Sequence, residues 1–324
     1  MELNVSFIGK VWDNLINEHY WLQADWLGMN AFIKKLYALS LLTLLSAVAP
    51  VSWAACLGDK AAVKEMTVSI VPQLPRAVTY AKWAPILEYV GQKSGQCFNL
   101  EIPETIPAFE KQLFKGEPDF AFANPYHEVI AKKRKGYIPL FIDGKTKLTG
   151  ILVVKADSPI KSIQDLQGKD VAFPAPNAFA ASLLIRAELA KQGIFIKPKY
   201  LKTHATAYRA VAMGDVVGAG GVNNTLQREE QALKESLRVV YETSGYAPHP
   251  FIANPRVPLK VRNSVTEAFL SLATNESGRK LLEEVQIPQP IPSDYQRDFA
   301  PLETLKLEKF VVLDESWGLQ ALWD

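Results

Sequence analysis

Residues 119–155, DFAFANPYHEVIAKKRKGYIPLFIDGKTKLTGILVVK, carry the pattern that decides the fold. Asp119–Ala123 reads as a short buried strand. Tyr126–Lys135 reads as a helix closed by Gly136, and Tyr137–Ile142 as the next strand. Apolar runs of strand length bounded by turn residues, alternating with a helix, are the signature of an α/β layer. Leu148–Ile151 then leads into Gly150–Lys155, a strand of a second such unit.

Reading outward from this stretch extends the alternation in both directions. Upstream lie a strand at Thr67–Val71, a helix at Ala77–Ser94, a strand at Phe98–Ile102 and a helix at Ala108–Lys115 closed by Gly116. Downstream lie strands at Asp170–Phe173, Gly218–Val222 and Leu237–Tyr241. The intervening helices are Ala178–Gln192, Ala205–Met213 and Asn224–Lys234. Helices at Lys260–Thr274, Ser277–Val285 and Pro292–Leu305 have too few strands for a third domain and are expected to return and cover the first. The expected fold class is therefore α/β with two lobes, each a mixed, mostly parallel sheet flanked by helices. One lobe comprises residues 55–148 and 245–324, the other residues 149–244. Two hinge crossovers, near Leu148–Ile151 and Glu242–Gly245, would let the lobes close over a cleft.

The N-terminus reads as a leader. MNAFIKK, residues 29–35, is basic, and Leu36–Val51 is apolar and uncharged. Ser52-Trp53-Ala54 places small residues at the −3 and −1 positions of a cut. A membrane span needs about 20 apolar residues, more than this run supplies. Residues 29–54 are read as a cleaved signal peptide, and residues 1–28, with Asp13, Glu18 and Asp25, as a mis-called extension. Lipoprotein anchoring at Cys56 is a poorer fit, because Trp53 and Ala54 stand where that signal wants a leucine and a small residue. Export implies a periplasmic, oxidising location. There Cys56 and Cys97 could form a bridge, since each lies shortly before a predicted strand; two free thiols are the alternative.

Composition excludes several classes. The 324 residues carry a formal net charge of +2, with no basic block to meet nucleic acid. No Cys/His spacing suggests zinc, and no metal or cofactor is expected. Past the leader only His127, His204 and His249 remain, and no G-x-S-x-G, H-E-x-x-H or Walker loop appears. The chain is not expected to be an enzyme. An enzyme on the same bilobal architecture is the rival from another class.

In open α/β sheets ligands sit beyond the carboxyl ends of strands. The segments there are Pro72–Arg76 leading to Tyr80, Asn124-Pro125-Tyr126-His127, Pro174–Ala180, and Thr203-His204-Ala205-Thr206 followed by Tyr208 and Arg209. Asn177 reads as an N-cap, so the amides of Ala178, Phe179 and Ala180 would point out of a helix start, an arrangement suited to an anion. An ordinary capped helix would look the same. His204 adds a donor that becomes cationic on mild acidification. The histidine at 127 reads as a surface helix residue, while His249, in a rigid turn, could reach the cleft or merely pack.

Asp157-Ser158-Pro159-Ile160, Asp165-Leu166-Gln167-Gly168-Lys169 and Val171–Phe173 resemble a stretch of type II periplasmic solute-binding proteins. Asp119–Phe122 with Tyr126, Thr203-His204 with Ala210-Val211, and Gly214-Asp215 extend the likeness over about Met66 to Leu272. Together they are similar to the phosphate/phosphite/phosphonate-binding (PhnD-like) branch of ABC-transporter receptors. The resemblance implies a type II periplasmic-binding-protein fold. It also implies a periplasmic solute-binding component of an ABC-type uptake system, with a small oxyanion in the interlobe cleft. Implied partners are the anionic ligand and an ABC permease; a membrane histidine kinase served by a ligand-sensing subunit is the alternative. The chain is expected to be a monomer.

Carried over position by position, the resemblance implies Asn177, Ala178, Phe179, His204 and Tyr126 as ligand contacts; the strand-end reading adds Tyr80, Asn124, Thr203, Thr206 and Arg209 to the expected set. Here the sequence departs from the family pattern. The Ser-Thr-Ser turn is replaced by Asn177-Ala178-Phe179, which leaves only backbone amides and one side chain for the head group. The acids that would meet an aminoalkyl ammonium are also missing, at Ala205 and near Val217-Gly218. The missing acids point away from 2-aminoethylphosphonate and toward a smaller or differently shaped anion.

Overall fold

The computed structural model describes residues 56–312. The expected extension (1–28) and the expected signal peptide (29–54) lie outside the described residues. Two sheets organise the chain. The first contains β1 (Leu57–Gly58), β2 (Glu65–Ile70), β3 (Cys97–Glu101), β4 (Phe120–Phe122) and β5 (Ile138–Asp143). Its helices are α1 (Arg76–Ser94), α2 (Ile106–Lys115) and α3 (Pro125–Lys135). The second contains β6 (Gly150–Lys155), β7 (Asp170–Phe173), β8 (Lys197–Tyr200), β9 (Gly218–Val222) and β10 (Leu237–Glu242). The chain then returns to the first sheet with β11 (Phe251–Ala253) and β12 (Pro290–Pro292).

The two sheets share one plan. Their strand orders run β3-β2-β4-β11-β5 and β8-β7-β9-β6-β10, with β1 and β12 added at the edges of the first. Within each sheet four strands point the same way. One strand opposes them from an internal position, β11 in the first and β6 in the second. Each opposing strand is the first one laid down after a crossover. The crossovers themselves pair: Leu148 and Tyr246 exchange backbone hydrogen bonds of 3.0 Å, and Gly150 N donates to Thr243 Oγ1 at 2.9 Å. The two connections are thus held as a ladder rather than as independent loops.

Burial explains the apolar run Gly150–Lys155. Ile151 and Val153 pack into one cluster with Ala207, Tyr208 and Val211, while Leu152 and Val154 pack on the other face with Phe173, Ile185 and Leu189. A strand covered on both faces needs continuous hydrophobicity rather than alternation. In the first sheet Phe251 is the hub of an aromatic cluster, 5.1 Å from the Phe141 ring and 4.9 Å from Phe269. Gly116 and Gly136 close α2 and α3 at φ of 78° and 73°, a conformation glycine adopts without a Cβ penalty.

Several elements differ from the sequence expectation. The helix expected over Ala178–Gln192 opens as a π-helical segment, Phe179–Leu184, before continuing as α4 (Ile185–Lys191). The Asn224–Lys234 helix is two short ones, α6 (Asn223–Gln227) and α7 (Gln231–Glu235), and α5 spans His204–Met213. In place of a helix over Pro292–Leu305 there are β12, a short α-helical turn (Tyr295–Asp298) and a 3-10 segment (Ala300–Leu305). The helices α8 (Leu259–Leu272) and α9 (Glu276–Glu284) return to cover the first sheet. Cys56 and Cys97 are bonded, with Cα atoms 5.6 Å apart. Antiparallel pairing of β1 with β3 brings them together, since Gly58 lies opposite Cys97.

Candidate functional site in the interlobe cleft

A small cavity lies where strand ends of both sheets meet the two crossovers. Gln73 follows β2 and Asn124 follows β4. Ala178–Ala181 follow β7, His204 follows β8, and Leu148 and His249 come from the crossovers. The cavity offers about 20 Å³ of room for the centre of a water molecule, which suits a ligand of a few heavy atoms. Its other walls, Val71, Ile106 and Val222, are apolar.

The amides at the helix start are the main donors. Phe179–Lys191 is one continuous helix, so its first amides have no acceptor within it. Outside the helix, no backbone acceptor meets the amides of Phe179, Ala180 or Ala181 among the described residues. The helix seats deep against the sheet because glycines lie beneath it. A Cβ on Gly150 would collide with the Ala180 carbonyl, and one on Gly220 with the Ala181 carbonyl and the Phe173 ring. The glycines of β6 and β9 therefore set how deeply this helix start seats against the second sheet.

The structure corrects the role of Asn177. The helix N-cap is Ala178, and no side chain caps it. Instead Asn177 Nδ2 donates to Glu110 Oε2 at 3.1 Å and to Val312 O at 2.9 Å, while Val312 N donates to Asn177 Oδ1 at 2.9 Å. Arg186 pins the same loop through Pro176 O and Phe310 O. The side chain of Asn177 is thus consumed by a strap from the C-terminal segment, and Asn177 does not line the cavity.

Asn124 and His127 also differ from expectation. The latter is fully buried, not a surface residue. Its backbone N donates to Asn124 Oδ1 at 2.8 Å, and its Nε2 lies 3.0 Å from Glu110 Oε1. Glu110, which the sequence did not mark, anchors both His127 and Asn177 behind the cavity wall.

Of the other expected ligand residues, Ala178, Phe179, Asn124 and His204 meet at the cavity. Thr203 is exposed and caps α5 through a 3.0 Å bond to the Thr206 amide. Thr206 and Arg209 are exposed on that helix and do not line the cavity. Tyr80 is 45% exposed on α1 and Tyr126 is buried in the core; neither lines the cavity. Burial raises the Tyr126 hydroxyl's pKa above the usual phenol range. Two lining residues with polar side chains lay outside the expected set, Gln73 and His249, which approach each other to 2.7 Å. Gln73 sits directly after β2, in a segment where the sequence pointed instead to Tyr80.

Electrostatically the cavity is unusual for an anion site. None of its lining residues is Lys, Arg, Asp or Glu. Burial lowers the His204 pKa to about 4. Burial, aided by His127, His204 and Arg228, lowers that of His249 to about 3. Both rings are neutral at pH 7, so a group in the cavity would meet dipoles rather than net charge.

Two sheets, a paired double crossover and a polar cavity at strand ends define a solute-binding protein of the two-lobed type II fold. The model of the family described as "ABC transporter, phosphonate, periplasmic substrate-binding protein" matches residues 68–299, and the chain belongs to that family. It is a solute-binding component of an ABC transporter. A binding component of an ABC phosphonate transporter from Pseudomonas aeruginosa superposes with a TM-score of 0.68 at 17% identity, over 76% of this chain and 86% of that one. PhnD1 of Prochlorococcus marinus, in complex with methylphosphonate, gives 0.69 at 12% identity, over 76% and 98%. A Xanthomonas citri protein bound to chloride gives 0.66 at 16% identity, over 76% and 99%. At these identities the superpositions establish the shared fold.

Proposed function

We propose that the chain captures a small oxyanion of the phosphate–phosphonate class in this cavity and hands it to an ABC permease. The observation that carries the reading is the set of amides at Phe179, Ala180 and Ala181, without a backbone acceptor outside the helix, at a helix start that lines the cavity. Asn124, Gln73, His204 and His249 supply the remaining polar contacts. The proposed lobes are residues 55–148 with 245–324, and 149–244. Support for that division comes from the chain changing sheets between Asp143 and Gly150 and again between Glu242 and Phe251. A mature chain exported after cleavage of residues 29–54, working as a periplasmic monomer, completes the reading. The Cys56–Cys97 bridge suits an oxidising compartment.

No carboxylate lines the cavity, so an aminoalkyl ammonium has no ion-pair partner there. Ligands with a bare or alkyl-capped head group are favoured. The test is a thermal-shift panel of phosphate, phosphite, methylphosphonate, arsenate, sulfate, carboxylates, and neutral and cationic solutes. A ligand at 100 times its Kd adds about 2.7 kcal/mol of stability. At least one phosphorus oxyanion is expected to raise the midpoint. A shift with a neutral or cationic solute and with none of the oxyanions would refute the proposal.

A further inference from the structure

Beyond Leu305 the chain crosses between the proposed lobes a third time. The 3-10 segment Ala300–Leu305 packs on α3 of the first lobe, where Lys133 pairs with Glu303 at 2.8 Å. The next 3-10 segment, Leu307–Phe310, packs instead against Phe179–Leu184 and α4 of the second. Between them Lys306 has a φ of 50°, in the left-handed region that residues other than glycine rarely adopt. One residue therefore makes the turn from one lobe to the other.

Past that turn the segment is anchored on the loop that precedes the cavity's helix start. Asn177 and Val312 exchange two bonds of 2.9 Å, side chain to peptide, much as paired strands do. The half-buried Arg186 guanidinium donates to Phe310 O at 2.7 Å and to Pro176 O at 2.5 Å, and its Nε donates to Ser182 Oγ at 3.1 Å. All three partners are uncharged, so this cation is committed to holding backbone and hydroxyl oxygens in place. From the other side Glu110 of the first lobe accepts from Asn177 Nδ2 at 3.1 Å. The loop Pro174–Ala178 is thus clamped between α2 and the C-terminal segment. Ala178 O, at the end of this loop, accepts from Ser182 N at 2.8 Å and from Leu183 N at 3.1 Å. The clamp on the loop therefore sets the position of the helix start that lines the cavity.

Hinging about two crossovers moves residues 149–244 away from the first lobe. A segment fastened to both lobes resists that motion, because it must turn at Lys306 or let go of Asn177 and Arg186. We propose that residues 307–312 form a strap that holds the cleft shut and fixes the helix start, and that is released from Asn177 and Arg186 when the lobes part. The strap's role goes beyond the oxyanion reading and rests only on the two-lobe division proposed with it.

Two full-length variants cut the anchors from opposite sides. Arg186→Met keeps the apolar stem and removes the donors, and Val312→Pro removes the amide that Asn177 accepts. Hydrogen exchange of the ligand-free protein, followed by mass spectrometry, compares the amides of Ser182–Leu184 with those of β2 and β4. In each variant the helix-start amides are expected to exchange about tenfold faster, with β2 and β4 within about twofold of wild type. The radius of gyration from small-angle X-ray scattering should rise in both. If one variant does not fold, the other decides. Unchanged exchange at Ser182–Leu184, an acceleration shared equally by β2 and β4, or an unchanged radius overturns the strap. None of these outcomes bears on what the cavity holds, which the thermal-shift panel decides.

Discussion

Acidification should destabilise the protein through His204, by an amount the structure sets. The ring is 7% exposed and its pKa falls from 6.5 to about 4 on burial. A histidine with a depressed folded pKa binds fewer protons in the native state than in the unfolded state. Stability therefore falls as pH drops through 6.5, and this loss is complete only below about pH 4. The gap of 6.5 − 4, about 2.5 units, corresponds to about 3 kcal/mol at 1.36 kcal/mol per unit. Replacing the ring by glutamine keeps a polar side chain and removes the titration. Urea unfolding of wild type and His204→Gln at pH 7 and pH 4, in the absence of oxyanions, yields a difference of differences that cancels the titrating groups His204 does not influence. The wild type should lose about 3 kcal/mol more than the variant over this range. Losses equal within about 0.5 kcal/mol would show that the ring is solvated and free to protonate. The cavity as described would then be wrong. His249, with a pKa of about 3, should act with the same sign.

Two further outcomes test the scaffold. Gly220→Ala drives a methyl into the Ala181 carbonyl and the Phe173 ring, so the helix start must move outward. This should cost about 1–3 kcal/mol of stability and weaken oxyanion binding more than tenfold, read by calorimetry against Gly144→Ala, whose new methyl crowds the Ile291 side chain outside the cavity lining. Cys56→Ser/Cys97→Ser opens a link with a sequence separation of 41, worth about 4 kcal/mol by loop entropy. Oxidised wild type should show the corresponding higher urea midpoint, and no difference would mean the bridge is absent in solution.

The strands legible from sequence are those buried on both faces. Gly150–Lys155, Asp170–Phe173 and Gly218–Val222 have the boundaries expected of them, because full burial demands an apolar run that turn residues bound sharply. The strands not marked, Lys197–Tyr200 and Phe251–Ala253, lack that signal. The first is an exposed edge with a proline inside it; the second is three residues that follow Pro250. Only pairing with β4 and β5 makes the latter a strand at all.

The site divides the same way. Local chemistry marked His204 and the Ala178–Phe179 amides, because a helix start after a strand end is visible within a few residues. The fate of Asn177 was not visible: its partners, Glu110 and Val312, lie 67 and 135 residues away in sequence. Thr206 and Arg209 share a helix with His204, yet which of its faces meets the cleft depends on packing against the second sheet. By itself the sequence determined the alternation of elements, the two crossovers and the helix start proposed to hold an anion. The tertiary structure decided which polar side chains remain free to meet a ligand. Hydrogen-bond partners in a folded chain are chosen by proximity in space, and a group satisfied by a distant residue is no longer available to the cleft.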